Sequence, residues 1–148
     1  MKIPLLGLSI LAASSFAWAA NEFAGSYVIV DGQRNSKPIG ADRFKDISVR
    51  IDDNTITTYD GENKEVYVAS YKIDSKGKPA RITMTAKVTP PGQERGTVSK
   101  GLLGWEGESL KLVYALPKGS TPHKFEAGHG QQMFVLRKVD KKPATGAQ

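Results

Sequence analysis

The chain has 148 residues, a formal net charge of +6, 39% hydrophobic and 24% charged residues, and no cysteine. This composition excludes a wholly disordered chain, and the length suits one domain that can bury a core without covalent staples. The missing cysteine excludes disulfides, thiol catalysis and thioether lipidation, and the scattered basic residues form no stripe for a nucleic-acid partner.

Met1-Lys2 is a short positive start, Ile3 to Phe16 is apolar, and Ala17-Trp18-Ala19 has the small-x-small pattern of a signal-peptidase site. Residues 1–19 therefore read as a cleaved secretory signal, which predicts a periplasmic or secreted protein. Its apolar core is short of the roughly 20 residues that span a bilayer, so no membrane anchor is expected. Loss of Lys2 lowers the net charge from +6 to +5. Residues 20–140 are predicted to form one β domain, with 141–148 as a flexible polar tail.

After the signal, apolar residues alternate with polar ones in short runs bounded by turn residues, the pattern of half-buried antiparallel strands. Tyr27 to Val30 is the first run, ended by Asp31-Gly32. Lys45 to Ile51 is the second, with Ile47, Val49 and Ile51 on one face, and Asp52-Asp53-Asn54 breaks it. Thr55 to Tyr59 leads to a turn at Asp60-Gly61, and Glu65 to Ile73 puts Tyr67, Ala69, Tyr71 and Ile73 on one side. Arg81 to Val88 alternates most cleanly, with Ile82, Met84, Ala86 and Val88 facing inwards, before Pro90-Pro91-Gly92. A glycine-interrupted run, Thr97 to Trp105, is followed by one in which Leu110, Leu112, Tyr114 and Leu116 alternate. Pro117 to Gly130 is a long loop, and Met133 to Val139 is the last strand. Eight strands joined mostly by hairpin-length gaps predict an all-β fold: an antiparallel up-and-down eight-stranded barrel, with a β-sandwich as the alternative.

Several segments, in order, carry a family resemblance. Gly25-Ser26-Tyr27 resembles an opening G-x-W, with Tyr27 where the family has Trp, and Asp31-Gly32 resembles the D-G that follows. Lys76 to Thr83 is similar to a K-x-x-P-x-x-I-D-L-T stretch, and Gly104 to Leu112 to a Y-x-L-x-G-D-x-L-x-L segment. Lys118 to Glu126 resembles an R-P-x-x-F segment, and Phe134 to Lys138 a closing L-x-L-x-R strand. Together they resemble a small bacterial lipocalin-like family, first noticed as an uncharacterised paralogous domain in planctomycetes. The resemblance implies a barrel and no particular chemistry.

Motifs for catalysis are sparse. His123 and His129 are the only histidines, with Glu126 between them; a facial metal set can be drawn, but loop residues rarely hold the three or four ligands a site needs, and two exposed histidines are the better reading. Asp52-Asp53-Asn54 and Asp60-Gly61-Glu62-Asn63 lack the spacing of a calcium loop and suit turns. There is no nucleophile elbow, phosphate loop or dinucleotide fingerprint. No enzyme, cofactor or metal is expected. The inward aromatics instead suggest a ligand cavity built on Tyr67, Tyr71, Met84, Leu112 and Tyr114, with Ile47 and Val49 nearby, for a small amphipathic or apolar molecule. The alternative is a protein-binding module of the cell envelope, such as an inhibitor or an immunity protein against a secreted toxin or hydrolase. It would use Leu102, Leu103 and Trp105 if exposed, with His123 and Lys124 of the long loop.

Overall fold

A computed structural model describes residues 21–139; the segment expected to be a signal and the tail expected at 141–148 lie outside the described residues. The strands are β1 (Gly25–Arg34), β2 (Lys37–Pro38), β3 (Ser48–Ile51), β4 (Thr55–Tyr59), β5 (Glu65–Asp74), β6 (Ala80–Val88), β7 (Val98–Glu106), β8 (Ser109–Ala115) and β9 (Gln131–Lys138). Among the described residues one 3-10 turn covers Ala41–Phe44. Strands β1 and β3 to β9 pair antiparallel with their neighbours in order, and β9 returns to pair with β1. The fold is a closed eight-stranded up-and-down barrel, so neither barrel edge is left open to another chain. The two-residue β2 adds a flap to the end of β1 through Asn35 and Ser36, whose φ values of 52° and 67° suit a tight hairpin turn.

The inward set is the one that alternation selects. Val49, Ile51, Ile56, Ala69, Ile82, Met84, Leu103, Leu110, Leu112 and Leu136 pack around the barrel axis. Each fully buried aliphatic side chain there contributes about 1.5–3 kcal/mol. Tight approach has its own residue requirement: a Cβ on Gly101 of β7 would lie 1.9 Å from the Val113 carbonyl oxygen of β8, so only glycine lets these strands close.

One end of the barrel is sealed. Phe23, just before β1, is 5% exposed and caps the core, and its carbonyl accepts a 2.7 Å hydrogen bond from the Tyr27 hydroxyl. Tyr71 donates its hydroxyl to the Asp52 carbonyl and accepts from the Asn21 side chain. Tyr27 and Trp105 meet with ring centroids 6.2 Å apart.

Period-two reading fails where the strands bulge. In β1, Ile29 pairs with Leu136 but Asp31 pairs with the next residue, Val135, leaving Val30 unpaired and 43% exposed. Asp31-Gly32 is therefore no turn; β1 runs on to Arg34. Val66 is the extra residue between Thr58–Tyr67 and Tyr59–Glu65, and Lys87 between Val68–Val88 and Ala69–Ala86. The Lys87 bulge turns Val88 away from the interior, where alternation had put it, and it is 37% exposed. All three interruptions lie between mid-barrel and the end opposite the Phe23 cap.

The long loop is a strap. On the outer faces of β7, β8 and β9, Leu102, Val113, Met133 and Val135 form a second apolar cluster with Ala127, and Phe125 packs against it. Residues 117–130 cover this cluster and are pinned to the β1–β2 hairpin. The Ser36 N–H donates to the Ala127 carbonyl (3.0 Å), the Ala127 N–H to Gln33 Oε1 (3.0 Å), and the Gly130 N–H to Asn35 Oδ1 (2.7 Å). The continuous apolar stretches Leu102-Leu103, Leu112-Val113 and Met133 to Leu136 are what a sheet covered on both faces requires.

Candidate functional site

The end opposite the Phe23 cap leads into the barrel. An internal cavity of about 230 Å³ is walled by inward residues of β1, β3 to β6, β8 and β9, among them Met84, Leu112, Phe134 and Leu136. An outer basin of about 470 Å³ adjoins it at the rim, formed in part by the exposed residues Arg34, Gln93, Glu94 and Pro117. The two share Tyr67, Gln93, Tyr114 and Gln132, which stand where apolar interior meets open rim. Near the rim, Phe44 packs edge-on to Phe134 at 5.9 Å. Gly32 makes room for it: a Cβ there would lie 2.6 Å from Phe44 Cζ.

The polar atoms at this junction form an ordered chain. Arg34 Nη1 donates to Gln132 Oε1 at 2.9 Å, and Gln132 Nε2 donates to the Tyr114 hydroxyl at 2.9 Å. Arginine can only donate, so the amide oxygen must face it and the amide nitrogen must face Tyr114. Tyr114 thus accepts from Gln132 and keeps its own proton to give. Burial raises the Tyr114 hydroxyl pKa, as does the neighbouring Tyr67, while the Arg34 charge and the Gln132 hydrogen bond act the other way. Burial raises Tyr67 as well. The Tyr67 hydroxyl has no hydrogen-bond partner among the described residues. No buried side-chain polar atom is orphaned there, so this hydroxyl reaches the open space at the junction.

Of the side chains expected to line a cavity, Tyr67, Met84, Leu112 and Tyr114 come together around it, and Val49 joins them. Tyr71 does not; it seals the far end through Asp52 and Asn21. Ile47 is half-buried outside the cavity lining. Leu102 and Leu103 alternate across β7, one under the strap and one in the barrel core, so neither is presented to a partner. Trp105 is half-buried against Tyr27. His123 and Lys124 are exposed on the strap, where Lys124 pairs with Glu126 at 3.2 Å. No three His, Asp or Glu side chains converge as a metal site among the described residues. Asp60 is a turn residue, its carboxylate accepting from the backbone N–H groups of Glu62 and Lys64.

Sequence reasoning missed Arg34 and Gln132. Ordinary alternation from Tyr27 and Ile29 would turn Asp31 and Gln33 inwards and Arg34 outwards. The Val30 bulge reverses this, so Gly32 pairs with inward Phe134 and Arg34 with inward Gln132. A bulge that re-aims a side chain at a barrel rim is a recurrent device at binding sites. Comparison with known protein families, with curated proteins and with solved structures finds no match to this chain.

Proposed function

We propose that this protein is a non-enzymatic, exported binding protein that holds one small amphipathic or apolar molecule inside its barrel. The observation that carries the reading is an apolar cavity with a polar junction and an exposed rim at one end only, the other end being capped by Phe23. An interior filled by its own side chains would offer no such space; eight strands can enclose either. Export rests on the Met1–Ala19 segment, and membership of the lipocalin-like family rests on the ordered motif resemblance. Four of the five aromatic and aliphatic side chains expected to line a cavity do so, which favours ligand binding over protein recognition.

Native mass spectrometry of protein prepared from its host's envelope tests this. The expected spectrum contains a retained small-molecule adduct that denaturation releases. A bare mass, together with no uptake of added octanol, would dismiss the reading.

A further inference from the structure

The junction between cavity and rim offers several unengaged donors. Arg34 supplies guanidinium N–H groups beyond the one given to Gln132, and the hydroxyl protons of Tyr67 and Tyr114 have no acceptor among the described residues. The amide oxygen of Gln132 accepts from Arg34. Arg34 forms no ion pair among the described residues. Its cross-strand partner across the β1–β2 turn is another cation, Lys37, although like charges directly opposite are destabilising. The one carboxylate residue bordering the basin is Glu94, on the far loop between β6 and β7.

Resting on the reading that the barrel holds a ligand, we infer that the ligand is a medium-chain carboxylic acid, its carboxylate anchored by Arg34 with the Tyr67 and Tyr114 hydroxyls, its tail lying towards Met84, Leu112 and Leu136. A planar guanidinium matches a carboxylate two bonds at a time. The tail is short because the space is small: about 230 Å³ lies below the roughly 300–1,000 Å³ of pockets that hold drug-sized ligands. A longer chain overfills this space and extends past the Tyr67–Gln132 junction into the basin.

The test is calorimetric titration of the mature protein with octanoate, octanol, octyltrimethylammonium and octyl phosphate, repeated on R34Q and R34K. Octanoate is expected to bind at least about tenfold more tightly than octanol at low salt, as hydrogen bonds to a charged group allow. The ammonium compound is expected to bind more weakly than octanol. In R34Q the advantage of octanoate over octanol disappears; R34K retains part of it. Arg34 is an exposed residue at the end of β1, and an unchanged melting curve confirms that R34Q is folded. Equal binding of octanoate and octanol, or an octanoate advantage that survives in R34Q, overturns the head-group assignment and leaves the binding reading standing. Preference for octyl phosphate over octanoate overturns the choice of a carboxylate. Failure of all four probes removes both.

Discussion

Val113→Ala isolates the outer apolar cluster. Val113 points away from the barrel axis, paired with Leu102 on one side and Met133 on the other, yet it is 0% exposed because the strap covers it. The substitution removes two buried methyl groups, about 0.8 kcal/mol each. A residual void of up to about 50 Å³ adds up to about 1.2 kcal/mol at about 24 cal/mol per Å³. The expected loss is therefore about 1.6–2.8 kcal/mol. In a domain of this size, at about 4 °C per kcal/mol, the melting temperature falls by about 6–11 °C. The control is Val98→Ala on the outer face of the adjacent strand β7, where Val98 is 55% exposed; it should change stability by no more than about 0.5 kcal/mol. Urea unfolding of both variants, followed by circular dichroism, gives the comparison. A Val113→Ala loss as small as that of Val98→Ala would show that the strap does not bury this face.

Three further outcomes follow from close contacts and buried hydroxyls. Gly101→Ala places a Cβ against the Val113 carbonyl oxygen, and the backbone must move; a loss of at least about 1–3 kcal/mol is expected in the same urea assay. Gly32→Ala displaces Phe44 from its seat beside Phe134, so it should alter octanol affinity, and unchanged affinity with unchanged stability would remove Phe44 from the account of the rim. Burial chiefly raises the Tyr27 hydroxyl from its ordinary 10.0 to about 12. The unfolded chain then loses its proton first, so this contribution to stability is complete below pH 10 and is lost as pH rises towards 12. Unfolding midpoints measured across pH 9–12 should fall more steeply for the wild type than for Tyr27→Phe, and parallel slopes would contradict the assignment.

Strand positions were legible because burial on one face imposes alternation: β4 spans Thr55–Tyr59, as read from the residues, and the inward faces of β5 and most of β6 agree. What alternation could not show is where it breaks. The bulge at Val30 leaves no composition signal, yet it decides that Arg34 rather than Gln33 faces the mouth of the barrel. Val88 was misplaced for the same reason at Lys87. The strap was partly legible. Unbroken apolar stretches such as Met133 to Leu136 exceed what a solvated outer face needs, but which segment covers them depends on long-range hydrogen bonds from Gln33, Asn35 and Ser36. Tyr67, Met84, Leu112 and Tyr114 were legible as inward-facing side chains that line the cavity, whereas Tyr71 needed its partners Asn21 and Asp52 to be seen as a seal.

Apart from Met1, the chain's methionines are Met84 on the cavity wall and Met133 in the outer cluster beneath the strap. Carbon-13 methyl resonances of the two, recorded while octanol is added, read the barrel interior and an internal reference in a single spectrum. Saturable movement of the Met84 signal with Met133 unmoved is the predicted result. A still Met84, or both signals drifting together without saturation, would contradict a ligand inside the barrel.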